Sequence, residues 1–254
     1  MRFEIGQRII DKIKNSFKHH YENQNEPNRN DWVIKNLNNI PKGKKILDAG
    51  AGIMRYKPYC SHLQYTSQDY CQYKGLEDGN TTEGLLNDKW DTSMIDIVSD
   101  IISIPVDDSS FDAILCTEVF EHIPYPIKAL EEFKRILKPE GILILTAPFA
   151  CLSHQTPYFF YSGYSVYWYK KFLEDNDFEI IEMSANGNYF EYMLQELHRL
   201  KSCQKKYCKK KIYYPKREVA RISRYLEACS KNQQNSEDIL CFGWHVLAKK
   251  KSSY

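Results

Sequence analysis

The residues best suited to chemistry begin with Asp48-Ala49-Gly50-Ala51-Gly52, which follows a short apolar run. Two glycines after a buried strand permit a tight turn and a close ligand approach, and a helix starting there would offer unpaired N–H donors. Asp48 at the strand end could orient that loop or hold a cationic group through water. Glycine also serves strand-to-helix turns for purely structural reasons. Asp69 follows about 20 residues after the loop, where a carboxylate can bridge ribose hydroxyls. Asp100, followed by Ile101 and Ile102, could hold and flank an adenine ring. Taken singly, Asp69 can also be a hydrogen-bonded loop acid or helix cap, and Asp100 reads more readily as a turn residue. Further along, Glu118 precedes the pair Glu121-His122, and His154 lies in an aromatic run. Neutral imidazole accepts protons near pH 7, which makes His154 the first candidate for a general base. A histidine that only fixes its loop fits the same position equally well. His122 reads more readily as support for Glu118 or the loop.

These residues need a frame, and the chain supplies an alternation of strand and helix. KKILDAG (44–50), LQYTSQDY (63–70), DIVSD (96–100), FDAILCT (111–117) and GILILTAP (141–148) read as five strands, with an amphipathic helix over 125–139. Pro139-Glu140-Gly141 reads as the stop and turn before the fifth strand. Strands apolar on both faces belong to a mostly parallel sheet covered by helices. Two helices are expected before the sheet, over 8–20 and after Asp31, with 22–31 a polar, proline-broken linker. A helix over 165–178, a sixth strand over 178–184 and a closing seventh over 239–250 complete the pattern. Between the last two strands lie about 54 residues, too many for an ordinary connection, expected to form helices over 189–211 and 217–229.

Residues 44–148 resemble a class I S-adenosylmethionine-dependent methyltransferase of the small-molecule type. The resemblance rests on KKILDAGAG, SQDY, DIVSDIISIPVDDSSFDAILCTEVFEHI and ALEEFKRILKPEGILILTAP, taken in order. It implies a Rossmann-like α/β fold with a seven-stranded sheet in the order 3-2-1-4-5-7-6, strand 7 antiparallel. It also implies S-adenosyl-L-methionine as cofactor, with Asp48, Gly50 and Gly52 at its methionine end, Asp69 at the ribose, and Asp100 with Ile101 at the adenine. Cys116, Thr117 and Glu118 would lie near the methionine end, and Glu121-His122 fills the family's Glu-His position. Two departures stand out: Met54 occupies the third small position of the glycine motif, and Glu140 interrupts the usual Pro-Gly-Gly turn. From residue physics alone, a nicotinamide-linked dehydrogenase is a close rival.

In an open α/β sheet the ligand crevice lies beyond the carboxyl ends of the strands. An acceptor pocket is therefore expected around His122, Phe149, Tyr158, Tyr161 and Tyr164. Tyr167, Tyr169, Phe159, Phe160 and Trp168 are divided between that pocket and the core. The His154-Gln155-Thr156-Pro157 segment more weakly resembles glycan-biosynthesis methyltransferases. The reading is thus methyl transfer to a hydroxyl of a small molecule or glycan precursor. An RNA methyltransferase or an inactive cofactor-binding protein are the alternatives. No clustered metal-ligand spacing stands out, and no metal is expected.

Composition bounds the rest. The chain has 254 residues, 43% of them hydrophobic and 14% aromatic, with a formal charge of only +2. That total conceals a stretch, 199–217, with nine Lys or Arg and no acid. It suits a solvated face, an anionic acceptor or an anionic membrane surface, and nucleic acid less well. Eight cysteines without a Cys-x-x-Cys pair argue against structural zinc and a disulfide framework. With no leader-like or membrane-spanning segment in the sequence, a soluble, cytoplasmic protein is expected. One domain, 1–254, is read as an N-terminal helical cover (1–43), cofactor core (44–148), acceptor-side segment (149–184), helical insertion (185–238) and closing strand (239–250).

Overall fold

A computed structural model describes residues 21–73, 84–85 and 90–252. The helix expected over 8–20 lies outside the described residues. The first described helix, α1 (Asn25–Asn38), begins six residues before Asp31. The polar stretch expected as a linker is therefore helical from Asn25 onward. Pro27 is tolerated there because the N–H groups of a first turn have no helical partner to lose.

Seven strands follow: β1 (Lys45–Ala49), β2 (Gln64–Asp69), β3 (Ile97–Val98), β4 (Phe111–Thr117), β5 (Leu137–Pro148), β6 (Phe178–Asn186) and β7 (Gly243–Lys250). They form one sheet in the order β3-β2-β1-β4-β5-β7-β6, as expected. The pairs among β1 to β5 are parallel, and β7 runs antiparallel to both β5 and β6. Pro139-Glu140-Gly141 does not precede β5 but lies inside it. Phe111 pairs with Leu137 and Ala113 with Ile142, so the turn residues are extruded as a bulge, with Glu140 at φ 63°.

Helix α2 (Pro126–Ile136) buries Ala129, Leu130, Phe133 and Ile136 but leaves Ile127 exposed. Helix α3 (Val166–Asp175) starts on Ser165, whose side chain accepts from the Trp168 amide. One face of the sheet is closed by α1. Trp32, Val33 and Leu37 pack with Ile46, Tyr56, Leu115 and Ile144. The Trp32 indole N–H reaches Glu182 at 2.8 Å, which satisfies its one polar atom at the core's edge.

The chain divides into two compact units, Asn28–Asn186 with Phe242–Tyr254, and Met1–Pro27 with Gly187–Cys241. The first holds the sheet. The second is built on α4 (Tyr189–Tyr207) and α5 (Lys216–Asn232). Asn188 caps α4 by accepting from the Phe190 and Glu191 amides, and its Nδ2 donates to Ser230 at 3.0 Å. Tyr192 and Leu194 are buried on α4, whereas Met193 and Leu200 are exposed. The lysines at 201, 205, 206, 209, 210 and 211 are all exposed. All eight cysteines are free thiols, and no helix among the described residues is long and apolar enough to cross a membrane.

Candidate functional site

The glycine loop hangs from the end of β1. The Gly50 and Ala51 amides both donate to the Gln68 carbonyl at 2.9 Å. Both glycines of the loop have positive φ, 74° at Gly50 and 52° at Gly52, which L side chains disfavour. A Cβ on Gly50 would come within 2.5 Å of Val119, and one on Gly52 would collide with the Trp90 ring. The expected helix start does not follow. Residues 51–56 form turns and lead into a short 3-10 segment, Lys57–Cys60, so no α-helix N-terminus faces the loop.

Asp69 takes over the loop's anchoring. Its Oδ2 accepts from the Gly52 amide at 2.9 Å and its Oδ1 from the Cys71 amide at 2.8 Å. Two donors lock the carboxylate, and each oxygen retains a lone pair for a further donor such as a ribose hydroxyl. Asp48 lies beneath, buried, accepting from the Tyr65 hydroxyl at 2.6 Å. Burial outweighs that hydrogen bond and pushes its carboxyl up to about 7. Asp48 is therefore a partly protonated strut under the loop, not an exposed anion. Asp100 is exposed and accepts from the Ile102 amide, while Ile101 is buried.

A cavity of about 280 Å³ opens beyond the carboxyl ends of β1, β2 and β4. It gathers Gly50, Asp69, Asp100, Ile101, Glu118, His122 and Tyr158. Asp48, Gly52, Cys116, Thr117, His154, Phe149, Tyr161 and Tyr164 are not among its lining residues. Cys116 is fully buried within the sheet, which pushes its thiol well up. Phe149 packs near Trp244, and Tyr161 donates to the Pro124 carbonyl. Tyr164 belongs to the core: it is 3% exposed, donates to the Phe120 carbonyl at 2.6 Å and packs against Phe120 and Trp168. Helical and turn geometry, invisible in the run of aromatics, decides which rings turn inward.

Residues passed over by sequence reasoning add to the wall: Gln68, Tyr70, Tyr73, Trp90 and Val119; Phe160, one of the aromatics left open between pocket and core, also lines it. Tyr70 was detectable as the aromatic directly after the ribose-type acid, but Trp90 carried no local signal. Arg29 was also missed. Its guanidinium meets Glu118 Oε2 at 3.1 Å while Thr146 donates to Oε1 at 2.9 Å, holding Glu118 at the strained φ of 53°.

The Glu-His pair stands where the cavity wall meets the core. His122 Nδ1 lies 2.6 Å from the Tyr158 carbonyl, so this nitrogen carries the proton and Nε2 the lone pair. Nε2 is buried without a hydrogen-bond partner, as is Glu121 Oε2. Burial, reinforced by the neighbouring His154, holds His122 down at about 4. Burial and the charge of Glu118 push Glu121 well above the carboxylate range. The His154 ring meets that of His122 edge-on at 4.7 Å. His154 Nδ1 donates to the Leu152 carbonyl at 2.8 Å. Contrary to the sequence expectation, the structure does assemble a ligand-type cluster. The candidate ligand atoms of Glu121, His122 and His154 all lie within 4.8 Å of one another.

Comparisons with known proteins agree with this architecture. Two family models, each described as a methyltransferase domain, match residues 47–145 and 97–220. A ubiquinone biosynthesis O-methyltransferase of Actinobacillus pleuropneumoniae serotype 5b is 28% identical over 127 residues, 47% of this chain and 52% of that protein. The chain thus spans about half the length of that curated relative. Among solved structures, the cyclase SpnF superposes with a TM-score of 0.55 at 18% identity, covering 89% of this chain and 81% of the other. Phosphoethanolamine N-methyltransferase 2 of Haemonchus contortus gives 0.52 at 19% identity, with 89% and 53% covered. These structural likenesses speak to the fold alone, since one fold hosts several reactions. Sheet order, glycine loop and the two methyltransferase-domain matches together make the chain similar to the class I S-adenosylmethionine-dependent methyltransferases.

Proposed function

We propose that this protein transfers a methyl group from S-adenosylmethionine to a hydroxyl of a small molecule. The observation that carries the reading is the single cavity joining Gly50, Asp69, Asp100 and Ile101 to Glu118, His122 and Tyr158. The residues present fit the cofactor. The glycine loop leaves backbone at the methionine end, Asp69 is fixed with lone pairs to spare for ribose hydroxyls, and Ile101 offers an apolar edge to the adenine. The bound cofactor would supply the electrophilic methyl. The protein's task is then to align an acceptor oxygen behind that carbon and exclude water, because in-line displacement gains most from positioning. We place the acceptor's hydroxyl on the side of His122, Tyr158 and Phe160, with His154 behind His122. The name of the Actinobacillus relative, an O-methyltransferase, supports oxygen as the atom methylated.

A glycan precursor or another anionic metabolite is our preferred acceptor class, and the exposed basic stretch 199–217 is a candidate contact for an anionic carrier or membrane surface. We read the chain as one methyltransferase body with a helical insertion, acting in the cytoplasm.

Two measurements test this. Calorimetry should give stoichiometric binding of S-adenosylmethionine and none of NAD; the reverse would overturn the cofactor. Labelled cofactor incubated with a fractionated cell extract should label small metabolites or glycans, and label in RNA would replace the acceptor class. His154→Ala should lower turnover far more than cofactor affinity.

A further inference from the structure

The Glu121, His122 and His154 cluster is not explained by packing. A buried carboxylate oxygen and a buried imidazole nitrogen both lack hydrogen-bond partners, and leaving such groups unsatisfied carries the full desolvation penalty of each. Glu121 is 1% exposed and its Oε1 stands 3.7 Å from His122 Nε2. In a tetrahedral site with bonds of about 2.0–2.1 Å, neighbouring donor atoms are roughly 3.4 Å apart. This pair is therefore already close to coordination spacing.

The histidines are also preset. Each donates its Nδ1 proton to a backbone carbonyl, His122 to Tyr158 and His154 to Leu152. That hydrogen bond fixes the tautomer with the lone pair on Nε2, the arrangement by which metal-bound imidazoles are oriented. Glu118, by contrast, is held by Arg29 and Thr146 and is not part of the cluster.

We infer that Glu121, His122 and His154 form a binding site for a divalent first-row transition ion in the wall of the cavity. Two imidazoles and one carboxylate suit Zn²⁺, Co²⁺ or Mn²⁺ better than Mg²⁺, which prefers oxygen ligands alone. Three protein ligands leave a coordination position open, as catalytic rather than structural sites do. His122 lines the cavity, so that position faces the place we give the acceptor. This last step rests on the methyl-transfer reading. An acceptor hydroxyl taking the open position would release its proton to solvent water near neutral pH. The electron pair left on oxygen would then form the O–C bond while the methyl–sulfur bond breaks and its pair returns to sulfur. His154 acts here as a ligand, and no separate side-chain base is required.

The test uses the full chain, stripped of metal by chelation and titrated with Co²⁺. Intensified visible d–d absorption saturating at one ion per chain is the expected result, with competition by Zn²⁺. Glu121→Gln and His154→Ala should each weaken Co²⁺ binding at least about tenfold, roughly 1.4 kcal/mol. Calorimetry of S-adenosylmethionine on the same variants should stay at the wild-type value, which establishes that they are folded. His154 is part-exposed on a loop, so its variant decides the matter should Glu121→Gln not fold. A wild-type chain without stoichiometric Co²⁺ binding, or variants that bind it unchanged, would overturn the metal site. Stoichiometric Co²⁺ with no cofactor binding would leave the metal site standing and remove the methyl-transfer reading.

Discussion

Replacing Gly50 by alanine perturbs the loop at one atom, and its cost can be worked from the geometry. At φ 74° an L residue is in the left-handed region, which costs about 1–2 kcal/mol. The added Cβ would also stand 2.5 Å from Val119 Cγ2, and forcing a packed side chain aside costs about 1–3 kcal/mol. Together the substitution should destabilise the protein by about 2–5 kcal/mol, lowering Tm by about 4 °C at the least. Val119 lines the cavity, so its displacement should also weaken cofactor binding at least about tenfold. Gly43→Ala is the internal control. Gly43 has φ 83° but nothing within 4 Å of a new Cβ, and it is not a cavity residue. It should show the backbone cost of about 1–2 kcal/mol and no change in cofactor affinity. Thermal unfolding with calorimetric titration on both variants separates the two costs. Cofactor affinity unchanged in Gly50→Ala, or lost equally in both, would refute the placement of the loop against the ligand.

Asp48 and Tyr164 offer further checks. Because burial raises Asp48 to about 7 from 3.8, the folded state retains a proton that the unfolded chain has released between those values. Stability should therefore fall as pH rises through that window, by up to about 4 kcal/mol from this group. Asp48→Asn keeps an acceptor for Tyr65 and should stabilise the protein at about pH 8 but not at about pH 4; denaturant unfolding with no such pH-dependent gain would count against it. Tyr164→Phe leaves the buried Phe120 carbonyl only the long bond from the Ile123 amide at 3.5 Å and should cost about 1–3 kcal/mol with KM unchanged. A raised KM with intact stability would return Tyr164 to the acceptor pocket.

The sequence by itself determined the sheet. Apolar runs of strand length separated by helical periodicity pointed to a mostly parallel sheet covered by helices, and the family resemblance of those segments implied its strand order. Asp69 and the glycines were legible for the same reason: a loop between a buried strand and its crossover has a fixed place at the sheet's edge. What tertiary structure alone decided was which side chains converge. Arg29 reaches Glu118 across 89 residues of chain. Trp90 closes on Gly52 from a segment without periodic pattern. The tyrosines at 158 and 164, alike in sequence context, part company, one to the cavity and one to the core. Glu121 and His122 read as an ordinary pair after β4 until the loop beyond β5 brings His154 against them. Sequence spacing encodes periodic elements. It carries no record of where a loop folds back, since that is set by packing and hydrogen bonding among residues distant in the chain.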